Sequence, residues 1–220
     1  MSQKISLKGA ERKVFSTAIN DGLWDILLGC FFLIFALAPF LSTRLGDFWS
    51  SVVFLPFWLL VFLIVQWLRK HMVTPRVGVV KFGQARRTKL RKFAVVMLAV
   101  NVIVFIFGLV AAMSFGRVTG QIYTITLGLI FLIGFSVAAY FLDFNRLYFY
   151  GLLVGLSFLG GEWLWARGYA SHHGFPITFG TTAGIMILVG LAVFVRLLRD
   201  NPVPIEGILS EEARDGQSTD

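Results

Sequence analysis

Catalytic raw material is scarce in this chain. It has one cysteine and three histidines in 220 residues. The lone Cys30 excludes an internal disulfide and says nothing about the redox compartment. Zinc needs three or four ligands. His172 and His173 are adjacent in sequence, His71 lies a hundred residues away, and no H-x-x-x-H or C-x-x-C spacing occurs. The adjacent pair therefore reads as loop surface, and no metal and no cofactor is expected. There is no G-x-x-x-x-G-K-[ST] loop and no G-x-S-x-G elbow, so nucleotide hydrolysis and serine hydrolysis lack support. We expect a non-enzymatic protein. Charge is scarce as well: 15% of residues are charged against 57% hydrophobic, with a mean hydropathy of +0.78. A soluble fold with that mixture would have too little polar surface to cover itself.

What the chain does have is six long apolar runs, at about 22–41, 48–68, 93–113, 122–142, 147–166 and 179–198. A bilayer core about 30 Å thick needs ~20 helical residues at 1.5 Å each. Unpaired backbone groups are not tolerated in lipid, so each run is expected to be a helix. The expected fold class is all-α, a polytopic transmembrane bundle of six helices. Residues 1–20 form a mildly amphipathic arm, 21–200 the transmembrane domain, 69–92 its basic inner loop, and 201–220 an acidic tail that prolines 202 and 204 separate from the last helix.

The net charge of +8 is distributed unevenly. With the N-terminus inside, 17 of the 20 Lys and Arg fall in cytoplasmic segments, nine of them between Arg69 and Lys92. That asymmetry predicts both termini in the cytoplasm, and it points the charge at a membrane surface rather than at nucleic acid. Trp24 and Trp67 then fall at the inner interface and Trp49, Trp163 and Trp165 at the outer one, with Trp58 in mid-span. A cleaved signal peptide is the competing reading of the first run, since Ala36-Leu37-Ala38 resembles a cleavage site. The long polar leader carrying Glu11 and Asp21, and the continuation of the run through Phe40 and Leu41, favour a retained span.

Lipid offers helices no hydrophobic drive to associate, so small residues that allow close backbone approach mark packing faces. Gly22 and Gly29 share a stripe with Asp25 and Ala36 on the first span. Gly151 and Gly155 make a small-xxx-small pair on the fifth span, and Gly180 and Gly184 make another on the sixth. The third span aligns Ala94, Met97, Asn101, Phe105, Gly108 and Ala112. In the 69–92 loop, Pro75 and the β-branched Val77, Val79 and Val80 predict an extended strip.

Three polar residues inside the spans are candidate sites: Asp25, Asn101 and Glu162. Ionisable groups in lipid are costly and mark functional positions by default. Each also has a structural reading. Asp25 complements the first turn of its helix, Glu162 pairs with Arg167, and Asp143 and Arg146 form a local pair in a tight turn. The densest signal is the basic run Arg86, Arg87, Lys89, Arg91 and Lys92 before the third span, suited to anionic lipid headgroups or a cytoplasmic partner protein.

Two stretches carry a resemblance. Asp21-Gly22-Leu23-Trp24-Asp25-Ile26 and Thr74-Pro75-Arg76-Val77-Gly78-Val79-Val80-Lys81-Phe82 resemble small prokaryotic polytopic membrane proteins that have a D-G-L-W-[DE]-I lead-in and a P-R-[IV]-G-x-V-K loop. The resemblance implies a prokaryotic plasma membrane and carries no activity with it. The leading expectation is a membrane module that docks anionic lipid or a cytoplasmic partner, with a homo-oligomer as a further possibility. The alternative is a small transporter or channel subunit with a polar path through Asp25, Asn101 and Glu162. The two differ in whether those three residues share one water-accessible cavity.

Overall fold

The structure, a computed structural model, describes residues 21–77, 84–113 and 120–202. The expected 1–20 arm, the 78–83 part of the extended strip and the tail from 203 onward lie outside the described residues. Among the described residues six long helices form: α1 (Leu23–Leu45), α2 (Asp47–Leu68), α3 (Gln84–Met113), α4 (Gly120–Leu142), α5 (Arg146–Ala166) and α6 (Phe175–Asp200). All six are long and apolar enough to cross a bilayer, and no strand occurs among the described residues. Successive helices run antiparallel. The start of α1, the end of α2 and the start of α5 therefore meet at one end, called here the basic end.

α1 and α6 form the tightest pair, with α5 against α6, α4 against α5 and α2 against α1. α3 touches mainly α4. Burial runs opposite to apolarity. α5, the least apolar span, has half of its central window buried, whereas α3, the most apolar, has none. That is the order expected when lipid is the solvent, because polar groups must face protein while Leu and Phe lose nothing by facing acyl chains.

The middle of the bundle is aromatic. Phe179 stacks on Phe32 and Phe35 at 6.1 and 5.2 Å and meets Phe158 edge-on at 4.9 Å. Phe131 of α4 closes the group against Phe32 and Phe158. Beside it the hydroxyls of Ser157 and Thr182 share a 2.7 Å hydrogen bond, so two buried polar groups satisfy each other across α5 and α6.

Two local expectations need correction. Thr74–Val77 is helical rather than extended: α2 continues through a π-helical turn, Arg69–Val73, into a last helical turn. A proline within a helix lacks a donor and collides with the carbonyl a turn earlier, and widening that turn relieves both defects. Thr74 secures the wide turn by giving both its N–H and its hydroxyl to the Arg69 carbonyl, the latter at 2.9 Å. The second correction concerns α3, which starts at Gln84. The basic run therefore occupies the first turns of a helix and not a loop.

The small residues of α1 pack against α6. A Cβ on Gly29 would stand 2.6 Å from Ile187, and one on Gly180 would make ordinary contact with Ala36 at 3.7 Å. Gly151 packs against Phe135, and Gly155 against the Gly128 carbonyl. Around Gly184, by contrast, nothing lies within 4 Å of a Cβ, and the same holds for Gly108 on α3. The close crossing on α6 falls at Gly190 instead, where a Cβ would meet the Gly22 carbonyl and Ile26 at 2.8 Å and Asp25 at 2.9 Å. Gly190→Ala is expected to destabilise the protein by about 1–3 kcal/mol, because backbone cannot yield there. Gly184→Ala should be neutral or stabilising by up to ~1 kcal/mol, the ordinary helix preference for Ala. Thermal unfolding of both variants in detergent checks the contrast.

Candidate functional site

At the basic end, the α1 lead-in places two acids inside the protein. Gly22 adopts a left-handed conformation (φ +80°), open to glycine at little cost. That turn brings Asp21 back over the helix start, where its Oδ1 accepts the Leu23 N–H at 3.0 Å. Oδ2 accepts from Arg69 Nη2 at 2.7 Å and Nε at 3.2 Å. Arg69 also lies over the Trp24 ring at 5.3 Å. Asp21 is fully buried. Burial pushes its carboxyl above the ordinary aspartate range, and the Arg69 guanidinium pulls it part of the way back.

One turn further, Asp25 is also fully buried. Its Oδ2 stands 2.6 Å from Arg146 Nη1, at the start of α5. The approach is close but skewed, an ion pair in which neither Asp25 oxygen sits in an aligned hydrogen bond. Tyr150, one turn along α5 from Arg146, brings its buried hydroxyl to the same carboxylate. Arg146 packs over the Phe144 ring at 4.9 Å. A third contact completes the layer: Lys89 of α3 donates to Asp143 Oδ2 at 3.0 Å, in the turn between α4 and α5. Asp143 and Arg146 thus reach beyond their own turn to α3 and α1. Together the three pairs tie the lead-in to α2, α1 to α5, and α3 to the α4–α5 turn.

The other candidates lie elsewhere. Asn101 is exposed on α3, and its Nδ2 donates to the Met97 carbonyl at 2.8 Å, satisfied within its own helix. Glu162 is buried near the opposite end. Its partner there is His173 rather than Arg167, with Nδ1 to Oε2 at 3.1 Å. Arg167 instead lies over Trp163 at 5.4 Å. Asp25 and Glu162 are therefore separated by the aromatic middle, and Asn101 stands apart from both. Of the basic run, Lys89 is half-buried in its pair, whereas Arg91 and Lys92 are exposed. The side chains of Arg86 and Arg87 lie outside the described residues.

Arg69, Arg146, Tyr150 and His173 are the partners that sequence reasoning missed. Only Arg146 and Tyr150 left a signal, as two polar residues at i, i+4 on the α5 face that also carries Gly151, Val154 and Ser157. No protein-family model matches the chain, and no curated protein or solved structure matches it with significance.

A buried pair loses most when one partner is removed, because a charge is left without compensation. Asp25→Asn and Arg146→Gln are each expected to cost about 2–4 kcal/mol, toward the low end because Arg146 keeps some solvent contact. The double variant should cost less than the sum by roughly 1–3 kcal/mol in a double-mutant cycle. Additive losses would show that the two charges do not support each other.

Proposed function

We propose that this is a non-enzymatic, multi-pass membrane module that docks anionic lipid headgroups through its basic end, in a prokaryotic plasma membrane with both termini in the cytoplasm. One observation carries this reading. The described acids of the basic-end layer, Asp21, Asp25 and Asp143, are each engaged by Arg69, Arg146 and Lys89, whereas Arg91 and Lys92 stand exposed on the first turns of α3. The acids of this layer thus face inward and positive charge is left outward on α3, where a helix passes from solution into lipid; Asp200, exposed at the end of α6, is held by Arg196 at 3.4 Å. Exposed Trp67, stacked on His71 at 5.0 Å, lies at the same end, as expected for an aromatic side chain at a headgroup boundary.

The transport alternative needs Asp25, Asn101 and Glu162 along one wet path. Their separation by Phe32, Phe158 and Phe179, with Asn101 on an exposed face, favours the module reading.

Each basic residue near an anionic surface contributes ~1 kcal/mol, about fivefold in binding, and the attraction fades over a Debye length of about 8–10 Å. Changing Arg86, Arg87, Arg91 and Lys92 to Gln, with Lys89 left in its pair with Asp143, should therefore lower retention of anionic lipid through purification by at least about tenfold. Added salt should weaken the wild-type preference. Equal retention of anionic and zwitterionic lipid by the wild type would end the lipid reading and leave a cytoplasmic partner protein as the ligand.

Orientation is tested separately with Cys30 replaced. In intact cells an impermeant thiol reagent should label a cysteine at Ser171 and spare one at Gln84. The reverse pattern would invert the topology.

A further inference from the structure

α2 has one face in the bundle and one outside it. Val61, Val65 and Leu68 turn inward and cluster with Leu23, Phe194 and Leu197. The other face forms an open groove of about 620 Å³, lined by Leu63, Ile64, Gln66, Trp67, Lys70 and His71. All six are exposed. The volume falls in the range of small-ligand sites, roughly 300–1,000 Å³. Seven residues at 1.5 Å each set Lys70 about 10 Å nearer the basic end than Leu63. Along that length the groove changes from aliphatic, through an indole, to cationic. A phospholipid has the same order, from acyl chain through the glycerol region to the headgroup. His71 adds a polar group of fixed direction. Its ring stacks on Trp67 at 5.0 Å and 30°, and its Nδ1 lies 3.0 Å from the Trp67 carbonyl. A carbonyl only accepts, so Nδ1 carries the hydrogen and Nε2 is left on the edge away from the backbone. Lys70 makes no ion pair among the described residues, whereas its neighbour Arg69 is engaged by Asp21. The cation of the groove thus has no anion from the protein.

We propose that this groove holds one phospholipid with an anionic, hydroxyl-bearing headgroup, its phosphate on Lys70 and a headgroup hydroxyl on His71. The inference rests on the reading that the basic end lies among headgroups, and not on the α3 charges. Charge complementarity selects the phosphate, since an ammonium and a phosphate oxygen form a charge-assisted hydrogen bond. The hydroxyl follows from His71. A hydroxyl both donates and accepts, so it fits Nε2 whether that atom carries a lone pair or a hydrogen. An ethanolamine headgroup would instead bring a second ammonium beside Lys70, and its phosphate would already be neutralised. Trp67 borders the glycerol region, the level at which indole rings concentrate in membranes. The acyl chain then runs along Ile64 and Leu63 toward the bilayer middle.

The test places a photoreactive benzophenone side chain at Gln66 of the full-length protein, in nanodiscs that carry a trace of labelled phosphatidylglycerol. A second protein carries it at Leu129, exposed in the middle of α4. At position 66, unlabelled phosphatidylglycerol should displace the label about fivefold better than phosphatidylethanolamine with the same chains, the scale of one basic residue at an anionic surface. At position 129 the two lipids should compete equally. Lys70→Gln and His71→Phe, the latter keeping an aromatic ring on Trp67, should each lose most of the preference while thermal unfolding in detergent stays unchanged. The unsubstituted background decides even where one of these variants fails to fold. Changing Arg86, Arg87, Arg91 and Lys92 to Gln should leave the preference at position 66 in place, which separates this site from the α3 charges. Equal competition at position 66, the same preference at position 129, a preference that survives Lys70→Gln or His71→Phe, or its loss with the α3 charges would each overturn the proposal. So would a covalent dimer in place of the lipid adduct, which would assign the groove to a second copy of the chain.

Discussion

The contact on which the rest depends is the backbone crossing of Gly22 and Gly190. Van der Waals packing is the main attraction between helices in lipid, and it rises steeply as backbones approach. At this crossing neither chain has room for a Cβ, and Gly22 is in a left-handed conformation besides. The turn at Gly22 fixes the direction of the residues around it. Asp21 and Asp25 are thereby carried into the protein, and both need a cation that other helices must supply. Arg69 and Arg146 are those cations.

Such pairs contribute more to specificity than to net stability. Taking two charges out of water costs about as much as their attraction returns, so the fold gains little from having them. Any arrangement that separates them, however, leaves a buried charge exposed to lipid or apolar protein. The Arg69 and Arg146 pairs, with Lys89–Asp143, therefore penalise every other docking of α2, α3 and α5 against the α1–α6 core. The layer lies at one end and the apolar middle needs no such help, because Phe32, Phe158 and Phe179 interlock by shape. α2 and α3, attached mainly at their ends and along one neighbour each, keep most of their surface for lipid. The basic charges on α3 thus sit on the least enclosed helix of the six.

The composition of the chain and its six apolar runs by themselves determined the all-α class, the number of membrane-length helices and, except at the start of α3 and the end of α2, their limits to within a few residues. Lipid leaves so few backbone solutions that length and apolarity suffice. The α1 stripe of Gly22, Asp25, Gly29 and Ala36 was legible for the same reason, since periodicity places small residues on one face. α3 began earlier than its apolar run because a basic segment outside lipid can also be helical, and hydropathy does not register it. Tertiary structure alone decided the pairings. Arg69 reaches Asp21 across 48 positions of sequence, and Glu162 takes His173 over the nearer Arg167. Local spacing ranks partners by sequence distance, whereas a buried charge selects whichever opposite group the helix crossings bring to it.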